Sequence, residues 1–298
     1  MGLPPTPGPD AALLLLTTFG SLAIADDGGA PPWLATRRRA LAILALVAAH
    51  GRDGISRDQV MALLWPELDA AGARNNLKQT VFAIRHALGV DVFDRGAATL
   101  RLDERVVVAD VIQFERDAAA GRFAEAAARY HGAFLDGFFL PRLVEFERWT
   151  DRVRARLAWR FAHVVERLVA SARERDDRAA LVEWSRRLTE HDPFSTLYAL
   201  GLISALADAG EPLAALKHAR EYTRLVREEF DAEPDGRIQR AADRVRRNLT
   251  LDVSSSAADG SKSPQRPSYP PVFIERDPQR AARISEPVVR PMEADFGA

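Results

Sequence analysis

The stretch ARNNLKQTVFAIRHALG, residues 73–89, decides the fold of the N-terminal part of the chain. Its apolar side chains recur every three or four residues, which predicts an amphipathic helix that ends at Gly89. At about 100° per residue, the large apolar side chains share one face of this helix; they are Leu77, Val81, Ile84 and Leu88. We therefore expect this face to pack on a core and the opposite face to be open to a partner.

The opposite face of this helix carries amide, cationic and aromatic side chains, and residues 73–88 contain no acid. The candidate site residues on it are Arg74, Asn75, Lys78, Gln79, Phe82 and His86. In the major groove of DNA, amide side chains pair with adenine and apolar side chains contact the methyl group of thymine. Basic side chains neutralise phosphate. This composition is typical of a helix that binds double-stranded DNA.

The segments around this helix predict short strands and two further helices. A β-rich run over 13–24 leads to a turn signal at 26–29, an apolar helix over 37–50 ends before Gly51, and Ser56 caps a short helix over 57–64. After the 73–88 helix, residues 91–95, Gly96 and residues 99–103 read as strand, turn and strand. Strands, three helices and a terminal hairpin in this order are typical of a winged helix-turn-helix.

Two further arginines are candidate DNA-binding residues. Arg37 opens the run Arg37–Arg39 at the start of the first helix, and Arg95 lies in the predicted wing hairpin. Positive charge at a helix start opposes the helix dipole, which favours a functional role such as phosphate contact. The alternative is that these arginines are solvated and bind nothing.

From Val108 to Arg247 the sequence predicts helix throughout, with an internal repeat. A turn at Asp176-Asp177 and another at Gly210 define units that begin at Ala162 and Thr196. A further copy begins at Gly121. The same frame places small or aromatic side chains at matching positions: Ala126, Tyr130, Ala133 and Ala215. Small residues let paired helices approach closely, as in tetratricopeptide-like repeats.

The sequence resembles regulators of the antibiotic-regulatory-protein type over roughly residues 13–248. The resemblance lies in RRRALAILALVAAHGRDGISRDQVMALLWPE (37–67), ARNNLKQTVFAIRHALG (73–89), DVIQFERDAAAGRFAEAAARYHGAFLDGF (110–138) and DAEP (231–234). It implies an OmpR-type winged helix followed by a bacterial transcriptional activator domain of tetratricopeptide-like helices. The chain departs from the family at Phe82 and Ala83, where members often carry a polar residue and a basic one.

The expected fold is mainly α: an N-terminal winged helix-turn-helix with small β-sheets, then an all-α helical repeat domain and a disordered tail. The division we predict is a flexible N-terminus (1–12), a winged-helix DNA-binding domain (13–107), an activator domain (108–250) and a tail (251–298). The tail is predicted from its composition, since SSSAADGSKSPQRPS (254–268) and the prolines after it cannot bury much apolar surface.

Composition argues against other classes of protein. Among 298 residues there is no cysteine, the six histidines have no metal-binding spacing, and phosphate-binding glycine motifs do not occur. We expect no enzyme activity, no cofactor and no metal. The apolar runs are too short for a membrane span, and residues 1–10 lack the basic region of a secretory signal, so we expect a cytoplasmic protein. The tryptophans at helical core spacing, Trp149, Trp159 and Trp184, are expected to pack inside.

These observations predict a sequence-dependent, DNA-binding transcriptional regulator. The 73–88 helix would enter a major groove, and the helical repeats would contact RNA polymerase or a second copy of the chain. The alternative is a protein-interaction scaffold whose winged helix no longer binds DNA. The near-neutral N-terminal segment, with 11 basic and 12 acidic residues over 1–110, and the apolar Phe82 favour that alternative.

Overall fold

The computed structural model describes residues 13–25, 29, 37–94 and 99–259, with side chains up to residue 251. Its strands are β1 (Leu14–Thr17), β2 (Ala23–Ala25), β3 (Ile55–Ser56), β4 (Thr99–Leu100) and β5 (Val107–Ala109). Its helices are α1 (Arg38–His50), α2 (Arg57–Leu64), α3 (Ala70–Leu88), α4 (Asp110–Ala119), α5 (Phe123–Arg129), α6 (Val144–Glu174), α7 (Arg178–His191), α8 (Thr196–Asp208), α9 (Pro212–Phe230) and α10 (Gly236–Asp259). The expected class, mainly helical with small N-terminal sheets, is confirmed.

The N-terminal sheet has the strand order β2-β1-β5. Strand β1 pairs antiparallel with β2 and parallel with β5, so that Leu16 lies opposite both Ile24 and Ala109. The β-rich run over 13–24 therefore contains two strands, and Gly20, with φ +77°, allows the chain to reverse between them. Of the turn predicted at 26–29, only Gly29 is among the described residues.

The first three helices begin and end at the local signals in the sequence. Helix α1 ends before Gly51, and the hydroxyl of Ser56 caps α2 by accepting a hydrogen bond from the Gln59 amide at 3.1 Å. Helix α3 begins at Ala70 rather than Ala73, because the Asp69 carboxylate accepts a hydrogen bond from the Gly72 amide at 2.7 Å. Helix α3 ends at Gly89, whose backbone adopts the left-handed conformation.

Of the strand–turn–strand predicted after α3, the described residues include the paired ends of the two strands. Phe93 bridges to Leu102, and the Asp94 amide donates a hydrogen bond to the Arg101 carbonyl at 2.9 Å. Strand β4 then pairs antiparallel with β3, which anchors the hairpin next to α2. Gly96 and Arg95 lie outside the described residues.

The helical repeats turn through the same backbone geometry three times. Gly121, Asp176 and Gly210 each have positive φ, and the residue after each donates an amide hydrogen bond to a carbonyl five positions back. These bonds join Arg122 to Asp117, Asp177 to Ala172, and Glu211 to Leu206, at 2.9, 2.9 and 2.8 Å. This pattern satisfies the last carbonyls of each first helix, so α4/α5, α6/α7 and α8/α9 form similar hairpins.

The prediction of continuous helix over 108–247 is wrong between α5 and α6. Helix α5 ends at Arg129, and the chain runs through non-helical residues 130–143 before α6 begins. The backbone there is bound to the N-terminal sheet: Leu135 donates to the Thr18 carbonyl and Gly20 donates to the Ala133 carbonyl. Tyr130 and Ala133 therefore do not continue a repeat helix, since tertiary hydrogen bonds replace helical ones in this segment.

One hydrophobic core includes residues from Leu14 to Leu188. It contains Ile43 of α1 together with Phe114 of α4 and Phe146 of α6, so it passes through the proposed boundary between residues 107 and 108. A second cluster joins α8, α9 and α10. Chain contacts define one unit over residues 1–250 and another over 251–298; of the latter only 251–259 are described, as the end of α10.

The expectation that three tryptophans pack inside is wrong for one of them. Trp149 is buried and Trp184 packs partly buried against the core, whereas 68% of Trp159 is exposed. Trp159 lies on the solvent face of α6, opposite buried Leu157 and Phe161, and its ring stacks on His163 at 6.0 Å.

Candidate nucleic-acid interface

Helix α3 has two opposite faces, as the sequence predicts. Its core face is buried at Leu77, Val81 and Ile84, joined by Ala73, and Leu88 is half-buried at its end. The side chains of the other face are exposed; they are Arg74, Asn75, Lys78, Gln79, Phe82, Arg85 and His86. Packing on one face only leaves a 19-residue helix whose outer surface is available to a partner.

The exposed face carries a central stripe of amide and aromatic side chains. At about 100° per residue, Asn75, Gln79, Phe82 and His86 fall within about 60° of one another. Phe82 is 67% exposed, and its ring lies 6.4 Å from that of His86. An exposed phenylalanine beside two amides gives this surface both hydrogen-bonding and apolar contact groups.

The amide and hydroxyl groups on α3 divide by their hydrogen bonds. Asn76 donates to the Gly72 carbonyl at 3.0 Å and Thr80 to the Asn76 carbonyl at 2.8 Å. These two side chains are therefore bound to their own helix. Within the described part of the chain, no hydrogen bond involves the side chains of Asn75 and Gln79, so both amides are open to an external partner.

Ion pairs reduce the number of cations that α3 can offer. Arg85 donates to the Asp91 carboxylate at 2.7 Å. No described acid pairs with Arg74 or Lys78, both of which are exposed. The α3 surface thus presents two cations without an acidic partner among the described residues.

The three arginines at the start of α1 have different surroundings. Arg37 is exposed at the cap of α1. Arg38 donates to the Phe139 carbonyl at 2.9 Å and lies 4.5 Å from the centre of the Phe138 ring, and Arg39 pairs with Glu67 at 2.8 Å. Arg38 and Arg39 therefore serve contacts within the chain.

Sequence reasoning missed Arg57 at the first position of α2. Its side chain is exposed, and no described acid pairs with it. The first helix of a helix-turn-helix crosses the DNA backbone, so a cation there is suited to phosphate. The signal was available, because a base in the first turn opposes the helix dipole just as Arg37 does.

The base of the wing has a local ion pair and a close backbone approach. Arg105 donates hydrogen bonds to both oxygens of Asp103, which hold the pKa of that carboxyl below its ordinary value. Gly54 allows β4 to approach β3: a Cβ on it would lie 2.7 Å from the Leu100 carbonyl oxygen. The candidate Arg95 lies between the described wing strands, outside the described residues.

Neither a metal centre nor a membrane helix emerges from the described residues. They contain no group of three or more potential metal-ligating His, Asp or Glu side chains. In the same part of the chain, every helix is too short or too polar to cross a bilayer.

Comparison with known proteins identifies the helical part of the chain. Residues 101–246 match the family model of the bacterial transcriptional activator domain. The chain therefore contains this domain, which supports a role in transcription regulation, and the resemblance to regulators of the antibiotic-regulatory-protein type is confirmed.

One solved structure shares the fold beyond this domain. It is Mycobacterium tuberculosis EmbR in complex with a low affinity phosphopeptide, with a TM-score of 0.51 and 20% identity over 83% of this chain and 71% of that chain. At this identity the likeness concerns the fold alone. A search of curated protein sequences found no match.

Proposed function

We propose that this protein is a sequence-dependent, DNA-binding transcriptional regulator that inserts α3 into a major groove. The observation that carries the proposal is the outer face of α3, which lies opposite a buried apolar face. It presents amides without hydrogen bonds and cations without an acidic partner among the described residues. In a helix-turn-helix, the second helix contacts base edges while the first crosses the backbone. Helices α3 and α2 correspond to these roles.

Phosphate contacts would come from cations around α3. Lys78 and Arg74 flank the central stripe, Arg57 begins α2, and Arg37 immediately precedes α1. Arg95 would meet the flanking backbone from the wing. Each phosphate neutralised releases a counterion, so binding that uses these residues weakens steeply as salt rises.

The helical repeats would present a surface to a protein partner, either RNA polymerase or a second copy of the chain. The match over residues 101–246 supports this assignment, since the family is described as a transcriptional activator domain. The continuous core supports it further, because it includes side chains of α4 to α7 together with side chains of α1 to α3. A protein with this role acts where the DNA is, in the cytoplasm.

The second candidate is an interaction scaffold whose winged helix binds protein instead of DNA. Phe82 is the observation that favours it, because an aromatic side chain with 67% exposure also suits a protein interface. The near balance of 41 basic and 42 acidic residues is compatible with it as well.

Selection of genomic fragments by the full chain separates the two candidates. If the protein is a regulator, it should retain a few duplexes and bind each of them saturably. Its affinity for them should fall by orders of magnitude between about 50 and 200 mM salt when several phosphates are contacted. Lys78→Ala is the matched variant, and it should flatten the dependence of log affinity on log salt by about one unit. A chain that retains no duplex at low salt would support the scaffold.

A further inference from the structure

We propose that α3 reads A·T base pairs and that Phe82 selects the methyl group of thymine; this inference rests on the proposed function. The side chains at the centre of the exposed face determine which bases α3 prefers, because these side chains would point to the floor of a groove. They are Asn75, Gln79, Phe82 and His86.

The centre of this face carries no arginine or lysine, the side chains that most often contact guanine. Guanine is most often read by an arginine or lysine that contacts its O6 and N7 atoms. At about 100° per residue, Arg74, Lys78 and Arg85 all lie about 70–110° to one side of the stripe. Arg85 is also bound to Asp91 at 2.7 Å. These cations therefore face a phosphate strand and leave the base edges to the amide and aromatic side chains of the stripe.

Helix α3 is asymmetric, since its other flank is uncharged. That flank carries Asn76, Thr80 and Ala83, and the polar groups of Asn76 and Thr80 bind carbonyls of the helix itself. The helix therefore favours one phosphate strand over the other. The two open amides, Asn75 and Gln79, lie on the stripe between the charged flank and the uncharged flank, where they face base edges.

The open amides and the phenylalanine match the two partners of an A·T pair. An asparagine or glutamine side chain pairs with adenine N6 and N7, and thymine adds the methyl group at C5. Phe82 lies between Gln79 and His86 on the stripe, and its ring can donate no hydrogen bond. In the major groove, the favourable contact for this ring is the methyl group of thymine.

Selection from random-sequence duplexes with the full chain is the first test. The expected result is enrichment of sites with A·T pairs at two or more adjacent positions. Enrichment of sites whose contacted positions are G·C would overturn this inference and leave the proposed DNA binding standing. No enrichment of any duplex would overturn the proposed function itself, and this inference with it.

Altered bases in the selected duplex test the individual contacts. Replacing thymine by deoxyuridine removes the C5 methyl and should weaken binding by the parent chain about fourfold. Phe82→Ala should bind both duplexes equally. Replacing adenine by 7-deazaadenine should weaken the parent and leave Gln79→Ala or Asn75→Ala unaffected.

Lys78→Ala is the matched control for these experiments. It should lower affinity for all duplexes while keeping the parent's response to deoxyuridine. A parent chain that binds thymine and deoxyuridine duplexes equally overturns the role of Phe82 without any variant. Equal binding of adenine and 7-deazaadenine duplexes by the parent overturns the role of the amides.

Discussion

The carboxylate of Asp110, at the start of α4, accepts hydrogen bonds from the hydroxyl of Thr18 at 2.5 Å and from its amide at 2.8 and 2.9 Å. The same carboxylate accepts from the Phe19 amide at 2.9 Å and the Val111 amide at 2.7 Å. One side chain thus joins the end of β1 to the first helix of the repeats. Thr18 is fully buried, so these bonds lie away from bulk water.

Replacing this carboxylate should destabilise the whole of the first unit. Asp110→Asn keeps one acceptor oxygen and loses the charge, and hydrogen bonds to charged groups contribute about 1.5–3 kcal/mol each. We expect the free energy of unfolding in urea to fall by about 2 kcal/mol or more. Glu125→Gln, an exposed acid on α5, is the control and should change it by less than about 0.5 kcal/mol. Equal stability of the two variants would contradict the role of Asp110.

A side chain at Gly54 should displace the wing. Gly54 has φ +69°, and a Cβ there would lie 2.6 Å from Cγ of Arg101 and 2.7 Å from the Leu100 carbonyl oxygen. Gly51 also has positive φ, at +52°, but has open space around it. Gly54→Ala should therefore lower the melting temperature more than Gly51→Ala, which carries only the cost of the backbone conformation, about 1–3 kcal/mol. Equal losses would show that β4 is not tightly packed on this turn.

Asp117 should contribute to stability only above acidic pH. Its side chain is 5% exposed; burial raises the pKa of its carboxyl, but hydrogen bonds from Arg129 and Arg122 outweigh burial and hold that pKa below its ordinary value. In the unfolded chain this carboxyl has a pKa of about 3.9. The stabilisation is therefore present above that pH and is lost as the pH falls through the lower pKa of the folded state.

Urea unfolding between pH 3 and pH 6 checks this expectation. Asp117→Asn should be less stable than the parent at pH 6, and the difference should shrink towards pH 3. A difference that is the same at both ends would mean that the ionised carboxylate is not the source of the stabilisation.

The close contact of α8 and α9 should not tolerate a larger side chain. Ala215 has 0% exposure at the position where these helices pack. Ala215→Leu is expected to cost about 1–3 kcal/mol through overpacking. Ala155→Leu, on the exposed face of α6, should be neutral within about 0.5 kcal/mol. Thermal unfolding followed by circular dichroism compares them, and an unchanged midpoint for Ala215→Leu would argue against a tight interface.

Local signals made the first three helices and the face of α3 predictable from the sequence. The spacing of Leu77, Val81 and Ile84 fixes which side of α3 is buried, because a helix places residues three and four apart on one face. The cap at Ser56 and the left-handed Gly89 act within a few residues of their partners. The exposure of Gln79 and Phe82 follows from the same periodicity.

Long-range contacts were not predictable in this way. Thr18 and Asp110 are 92 residues apart, and Arg38 and Phe139 are 101 apart. No periodicity or cap connects such pairs, because their bonds depend on the packed fold. For the same reason, the sequence could not show that residues 130–143 bind the N-terminal sheet rather than continue a helix, or that Arg38 is used inside the chain.

The most direct test of the central claim, that the outer face of α3 binds DNA, compares duplex affinity with stability across one set of variants. Asn75→Ala, Gln79→Ala and Lys78→Ala should keep the parent's unfolding free energy within about 0.5 kcal/mol. Titration of a selected duplex, followed by fluorescence anisotropy, should show losses of about 1–3 kcal/mol for each amide that contacts a base. If all three variants bind this duplex with the parent's affinity and salt dependence, α3 does not contact DNA.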